Sequence, residues 1–438
     1  MRSVLAGIVG DAWVEEAAYP FDELEGLRPR LVVSPGSAEE TAEVLRAAAR
    51  EGWAVLPVGK GHLRGLGNPP SAGDFWLSTR RLTAITEYEP ADLTAAVQSG
   101  CTLGDFNARL AQCNQILPWD PPGGAERTMG GVASVGRIGP LRLGFGQPRD
   151  WIIGMQAATL EGKLIRAGGR VVKNVAGYDL TKLFVGSLGT LGVITELNVR
   201  VRPQPATELS AVVSSPDSSA LWSLARKTMA SYVQPVALEI VSAEAMRWAG
   251  LKVLGRNDYL CARLAGEDAD VREQVLRLES LASELSLDMS EQVGQEHVLP
   301  FWRGVADLPL HEAAQIALRL SVPPSRLEDT ARTALSALST HMEQIAHTAS
   351  PGFGVLWVLL GGVVNEDRLD EMVPKIERLR EVCRANDGSL VVERAPVELK
   401  KQLDAWGPVG TAEGLMRGMK RLFDPDGRLN PGRFVAGL

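Results

Sequence analysis

An α+β chain of two main domains is the fold this sequence predicts, and three observations predict it. Between Leu31 and Pro205 short strand-like runs mix with Ala-rich helical stretches, and three glycine-rich segments interrupt them. Beyond Thr207 longer helices alternate with apolar strand candidates, the pattern of an α/β sandwich.

In chain order, Leu31 to Ser34 predicts a short strand. Ser37-Ala-Glu-Glu40 is a capping box that opens a helix ending at Gly52. Ala54 to Val58 is a second strand running straight into Gly59. Further strands are expected at Asp74 to Ser78, Ala84 to Glu89 and Leu93 to Ser99, with a helix over Leu103 to Cys113. Pro118, Pro121, Pro122, Gly123 and Gly124 break the pattern before Thr128 to Ser134, which reads TMGGVAS. The densest run, Val171 to Glu196, precedes a strand that closes on Pro203 and Pro205, where the first domain ends. The second domain is expected to hold helices at Asp268 to Ser286, Ser325 to Thr340 and Glu366 to Arg384. Its strands are expected at Val236 to Val241, Asp258 to Ala265, Gln315 to Val322, Gly354 to Leu360 and Ser389 to Val392. No internal repeat stands out.

Composition limits the function. In 438 residues, 45% hydrophobic and 23% charged side chains are ordinary globular values, and a net charge of −7 without a basic cluster argues against a nucleic-acid partner. The longest apolar runs are too short for a membrane span, and Met1 to Gly10 lacks the pattern of a secretory signal, so a cytoplasmic protein is expected. Cys101, Cys113, Cys261 and Cys383 lie far apart, with no spacing for zinc or an iron–sulfur cluster, and read as buried or half-buried thiols.

Gly59-Lys-Gly-His-Leu-Arg-Gly-Leu-Gly67 places four glycines in nine residues directly after a strand, so main-chain N–H groups can turn toward an anion without Cβ atoms in the way. It lacks the Lys-Ser/Thr pair of a Walker loop, and Asn68-Pro-Pro70 follows where a Rossmann helix would begin. A pyrophosphate suits this loop; a plain surface loop is the alternative that spacing leaves open.

Four stretches carry a family resemblance: Val32 to Gly61, Thr128 to Ser134, Arg149 to Leu197, and Phe423 to Phe434, the last reading FDPDGRLNPGRF. Together they resemble flavoproteins of the vanillyl-alcohol oxidase superfamily. The resemblance implies a PCMH-type FAD-binding domain of two α+β subdomains at 31–205, preceded by an N-terminal segment at 1–30. It further implies a ferredoxin-like α/β sandwich as a cap or substrate domain at 206–400, and a C-terminal helix and tail at 401–438 that return to the FAD domain. Gly59, Lys60, Gly61, His62, Leu63 and Gly65 would then lie on the pyrophosphate, and Thr128, Gly130, Gly131, Ala133 and Ser134 would run past phosphates and flavin. Gly189, Gly192, Val193 and Ile194 would reach the cofactor through main-chain groups, with Asp150, Lys173, Asn174 and Tyr178 near the flavin. The loop lacks the Gly-Gly-His order of covalent members, so non-covalent FAD is expected, with His62 a polar loop residue.

Within the superfamily the layout is similar to 2-hydroxy-acid dehydrogenases related to glycolate oxidase and D-lactate dehydrogenase. Active relatives carry an HxGDGNxH metal motif and a later Glu-His-Gly. Here the histidines are scattered at His62, His297, His311, His341 and His347, and the late motif reads Glu393-Arg394-Ala395, so no metal site is expected. His341 and His347 read as solvated helix histidines. Arg319, Arg394 and Tyr178 are the candidates for substrate contacts, with a structural arginine the alternative at the first two. The pattern is similar to the smaller flavin subunit of a multi-subunit glycolate dehydrogenase. That implies a catalytic FAD-binding subunit and an iron–sulfur subunit as partners, a small 2-hydroxy acid as the complex's substrate, and contact with the inner membrane face only through the complex. A self-sufficient 2-hydroxy-acid dehydrogenase and a non-catalytic scaffold subunit are the competing readings. Trp248, Trp302, Trp357 and Trp406 fit either an interface or core packing.

Overall fold

The computed structural model describes residues 1–18, 24–169, 179–253, 255–339, 344–362 and 366–438. The fold is α+β, and three sheets organise it.

The first sheet has β1 (Val14–Glu16), β2 (Leu31–Val33), β3 (Val55–Val58) and β4 (Phe75–Ser78) in the order β1-β2-β4-β3, with β2 and β3 parallel to β4. Parallel neighbours need a crossover, and the helix Ala38–Glu51 supplies it. The Ser37 side chain accepts from Glu40 N at 3.0 Å, the Glu40 carboxylate accepts from Gly36 N at 2.7 Å, and Gly52 ends the helix at φ 71°. Its buried face, Val44, Leu45 and Ala48, packs with Phe75 and Leu77 of the sheet and with Leu5 and Val9 of the helix Arg2–Val9.

The second sheet is antiparallel: β5 (Ile85–Glu89), β6 (Thr94–Gln98), β8 (Ile152–Ala158), β9 (Leu164–Gly168) and β10 (Val193–Arg200) in the order β5-β6-β10-β8-β9. A short ladder of β7 (Gln115–Ile116) and β11 (Arg202–Pro203) lies outside it. The glycine-rich TMGGVAS segment is a helix, Met129–Val135. Thr128 caps it by accepting from Gly131 N at 3.2 Å, and Met129, Val132 and Ala133 enter the core with Phe106 and Leu197.

The third sheet has eight antiparallel strands: β12 (Thr207–Ser215), β13 (Ala237–Val241), β14 (Asp258–Gly266), β15 (Met289–Val293), β16 (Ile316–Ser321), β17 (Gln344–Ser350), β18 (Val355–Gly361) and β19 (Ser389–Arg394). Their order is β15-β12-β14-β13-β17-β18-β16-β19. The first four strands, with helices Ser218–Met229 and Asp268–Ser283, form one βαββαβ unit. The last four, with helices Pro324–Ser339 and Glu366–Ala385, form a second, and the two join where β13 meets β17. The sequence shows no repeat, yet the backbone repeats, because the two halves share a topology while different side chains fill them. One core between sheet and helices, including Leu224, Leu278, Leu318 and Leu379, runs through both halves. The opposite face packs on the helix Gln295–Asp307 and turns toward the first domain.

His347 corrects one expectation: it lies on β17, not on a helix, and its side chain is largely buried, 4.0 Å from the Asp258 carboxylate. Cys113 corrects another, being exposed while the other three thiols are buried. Trp302 is core, donating from its ring N–H to Ser210 Oγ at 2.8 Å. Lys173, Asn174, Tyr178 and His341 lie outside the described residues. Among the described residues no helix is long and apolar enough to cross a membrane.

The tail crosses back to the first domain. Val55 N donates to Arg428 O at 2.8 Å and Asn430 N donates to Val55 O at 2.9 Å, so the tail lines the edge of β3. Asn430 donates from its side chain to Leu188 O, and the Arg433 guanidinium donates to Arg64 O and Leu66 O.

Candidate active site

The glycine loop and the helix Met129–Val135 face each other across a groove of about 90 Å³. Gly59 is required by that approach, since a Cβ there would sit 2.2 Å from Thr128 Oγ1. Gly61 adopts φ 78°, the left-handed region that only glycine enters at little cost. Among the described residues the groove wall holds Lys60, Arg64, Arg127 and Arg433 and no carboxylate. Gly131 and Ser134 line the same wall, while Asn430 and Arg433 close it from the tail. Main-chain amides and cations without an acid suit a pyrophosphate.

Other expected cofactor residues also have structural roles in the fold. Gly130 carries no side chain because a Cβ would meet Ser99 Cβ at 2.6 Å, and Ala133 is buried in the core. Val193 and Ile194 are buried and pair with Ala158 and Ala157 in the β8–β10 ladder. Gly192 would place a Cβ 2.8 Å from Ala158 O, so strand packing already demands it. Gly189, at φ 68°, borders Pro57 and Asn430 near the groove. The Asp150 carboxylate is taken up by a helix cap, accepting from Gln147 N at 2.8 Å. Lys60 pairs with Glu126 at 2.5 Å on the outer rim. Gly65 gives its carbonyl to Lys400.

The groove opens into a larger cavity of about 450 Å³ between the two domains, and His62, Leu63 and Val135 belong to both. One wall is the first domain, with Ile138, Pro140 and Gln147. The other is the third sheet, with Glu239, Arg319, Thr348, Ser350, Trp357, Glu393 and Arg394. Pro309 and Leu310 help to make it largely apolar, the form of a small-molecule site. A groove for a pyrophosphate leading into an apolar chamber large enough for a ring system fits an FAD, with the chamber's sheet wall left for substrate.

Four arginines enter the cavity: Arg137, Arg142, Arg319 and Arg394. Arg319 Nε donates to Glu393 Oε1 at 2.7 Å, and Arg137 pairs with the same oxygen. Burial and the nearby Arg142 push Arg319 down to about 10. Arg394 donates to His311 O at 2.9 Å and Leu310 O at 3.3 Å. Arg142 lies over the Phe353 ring at 4.9 Å. Arg137, in the loop after Val135, and Arg142, which opens the short helix Arg142–Phe145, gave no signal in sequence. Glu239 did give one, a carboxylate inside the apolar strand ALEIV, which is the pattern of a functional or paired acid.

Two acids are held by burial. Glu239 is pushed up to about 8, against a hydrogen bond from Ser350, with the Asp120 charge adding to the rise. Asp120 is pushed up to about 7 although it accepts from Leu141 N at 2.8 Å and Gly139 N at 3.0 Å. A raised carboxyl keeps a proton in the folded chain that the unfolded chain releases near its ordinary value. Stability therefore falls as pH rises from about 4.5 toward 8. Urea midpoints measured at pH 5 and pH 8.5 should differ in that direction, and Glu239→Gln should flatten the difference. Among the described residues no cluster of three or more His, Cys, Asp or Glu is placed to hold a metal.

Comparison with known proteins agrees with this geometry. Residues 29–168 match the FAD binding domain, and residues 204–434 match the C-terminal domain of FAD linked oxidases. The chain is 24% identical to glycolate oxidase subunit GlcD of Bacillus subtilis over 420 residues, 93% of this chain and 89% of that one. It is 43% identical to glycolate oxidase subunit GlcE of Escherichia coli over 135 residues, 31% of this chain and 39% of that one. It is 26% identical to D-lactate dehydrogenase of Archaeoglobus fulgidus over 437 residues, 96% of each. Among solved structures, p-cresol methylhydroxylase with substrate bound superposes with a TM-score of 0.77 at 16% identity, covering 98% of this chain and 95% of that one.

Proposed function

The chain belongs to the FAD-linked oxidases and binds FAD, and on that premise we propose that it is the FAD-binding subunit of a multi-subunit glycolate dehydrogenase. In this reading the complex, which also contains a catalytic FAD-binding subunit, converts glycolate to glyoxylate, and this chain passes electrons to an iron–sulfur partner. The observation that carries it is the arginine-rich cavity at the end of the groove, which selects a small carboxylate. The similarity to glycolate oxidase subunits supports the assembly. The chain would sit in the cytoplasm, at the inner membrane face only through its partners.

The residues divide the work. Main-chain N–H groups of Gly59 to Gly65, with Gly131 and Ser134, hold the pyrophosphate. Lys173, Asn174 and Tyr178 are assigned to the flavin side on the resemblance alone. When bound, FAD supplies a two-electron oxidant. Arg319 and Arg394 orient the substrate carboxylate, while Leu63, Ile138, Leu310 and Trp357 exclude water. The His62 side chain is exposed at the join of groove and cavity, and desolvation there, then Arg127, lowers its pKa; we assign it polar contact with a non-covalent flavin.

Glycolate turnover should require the reconstituted complex, and turnover by the isolated chain equal to that of the complex removes the proposal. Arg319→Ala and Arg394→Ala should each lower kcat/KM of the complex by about 10- to 150-fold, the loss of a hydrogen bond to a charged group. A second reading, a self-sufficient 2-hydroxy-acid dehydrogenase, is favoured by the full-length similarity to a D-lactate dehydrogenase. It predicts that the isolated chain turns over D-lactate.

A further inference from the structure

Oxidising a 2-hydroxy acid releases a proton as well as a hydride, so the cavity needs a group to take it. Among the described residues that line the cavity, the arginines stay charged, Glu393 is committed to Arg319 and Arg137, and Gln147, Thr348 and Ser350 are neutral. His62 and Glu239 are left. His62 lies on the loop wall, where the pyrophosphate groove begins. Glu239 lies on the sheet wall with Arg319, the side assigned to substrate.

Glu239 sits where the two βαββαβ halves meet. Its strand pairs with β17 through Ile240↔Ala349 and Val241↔Thr348, which brings Ser350 beside it. Ser350 Oγ donates to Glu239 Oε1 at 2.6 Å, with both residues under 4% exposed. That bond fixes one carboxyl oxygen and the side-chain rotamer. Among the described residues this buried acid has only a serine as direct side-chain partner and no ion pair, and a carboxylate bound on the arginines would place its 2-hydroxyl group on the same wall.

We propose that Glu239, oriented by Ser350, is the proton acceptor of this cavity for a 2-hydroxy acid whose carboxylate rests on the arginines. The inference rests on the 2-hydroxy-acid reading above. The substrate C2–H bond breaks with its electron pair passing to the flavin, the oxidant that the family activity supplies. The O–H bond breaks with its proton passing to the Glu239 carboxylate, and the C2=O bond forms. The groups that set the proton affinity of Glu239 are its own burial, Ser350 from β17 and Asp120 from the first domain. Cys261, its cross-strand partner on β14, feels its charge, and Arg263 on the same strand faces Asp120. Since only ionised Glu239 can accept, flavin reduction should accelerate as pH rises and level off above about 8.

The test is anaerobic bleaching of the FAD-loaded chain, alone and in the complex, by glycolate and by D-lactate between pH 6 and pH 9.5. Glu239→Gln keeps the shape and the Ser350 bond, and should slow bleaching by about 100-fold or more and abolish the alkaline rise. Glu239→Asp should recover part of the rate. His62→Ala, whatever its absolute rate, should keep the rise. A readout independent of turnover is the infrared carboxylic acid absorption of the flavin-free chain, in which the component that titrates at about pH 8 should be missing in Glu239→Gln while the Asp120 component at about pH 7 remains. Bleaching by Glu239→Gln with an unchanged pH profile, or a rise lost in His62→Ala instead, overturns the assignment alone. Absence of bleaching by both acids in the unmodified complex overturns the 2-hydroxy-acid reading and this one together.

Discussion

Arg433→Ala should leave a folded chain that loses its FAD on gel filtration, with affinity reduced by about 100- to 1000-fold. The Arg433 side chain is buried and donates to the carbonyls of Arg64 and Leu66, while its own carbonyl accepts from Trp406 Nε1 at 2.9 Å and from Asn68 N at 3.1 Å. The glycine loop is thus held by the last residues of the chain. Lys400 holds it from the second domain, pairing with Glu25 and donating to Gly65 O. A loop with Gly61 and Gly67 at φ 78° and 86° has many conformations when free, and ordering each residue costs about 1–2 kcal/mol. The clamp meets that cost before the cofactor arrives. Without it, two buried carbonyls are left unpaired at about 1–3 kcal/mol each, and cofactor binding must order the loop itself. Since 1.4 kcal/mol is a factor of ten, a deficit of about 3–4 kcal/mol gives the expected loss. Lys400→Met should act in the same direction. The measurement is the FAD-to-protein ratio after gel filtration, with the dissociation constant from flavin fluorescence and far-ultraviolet dichroism as the control for folding. An Arg433→Ala chain that keeps stoichiometric FAD at unchanged affinity contradicts this account.

The clamp also marks how far sequence reasoning reaches. Helix Ala38–Glu51 is legible because its cap, its apolar period and its terminal glycine are all local, and strands such as Val55–Val58 and Phe75–Ser78 announce themselves as apolar runs. The strand Gln344–Ser350 does not. Its neighbours are strands on both sides, one face meets the helical layer and the other the cavity, so its small and polar residues show no alternation, and His347 looks like a helix residue. The glycine loop is legible from composition, because the conformation it needs is written in residue type. The helix at Met129 is not, since glycines are poor helix formers and only the Thr128 cap and the contact of Gly130 with Ser99 reveal why they are tolerated. Val193 and Ile194 read from sequence only as part of a glycine-rich motif, and the fold makes them buried strand residues paired with Ala158 and Ala157. Arg319 and Arg394 are visible as arginines in apolar strands, whereas Arg137, Arg142 and Glu393 acquire meaning only when the fold brings them to one cavity.

Glu393→Gln should destabilise the chain and at the same time tighten its grip on small carboxylates. In the folded protein Glu393 is the shared partner of Arg319 and Arg137, with its side chain 9% exposed and those of Arg319 and Arg137 15% and 25% exposed. Removing one charge from a buried cluster leaves the others uncompensated, which costs about 3–5 kcal/mol. The two guanidiniums then repel each other and Arg142 in a poorly solvated space, and Arg319, held low by burial and Arg142, is lowered further. An external carboxylate repairs the deficit. Oxalate should therefore raise the thermal midpoint of Glu393→Gln well above its effect on the unmodified chain, since a ligand that binds only the folded state stabilises it by mass action. The two effects have one cause, Glu393 acting as an internal anion on the surface assigned to the substrate. If Glu393→Gln is destabilised but oxalate stabilises it no more than the parent, the arginines are a structural cluster and the carboxylate clamp must lie elsewhere, with Arg394 the remaining described candidate. If oxalate rescues it and glycolate competes for the same site, the cations that hold the fold together at Glu393 are the cations that hold the substrate.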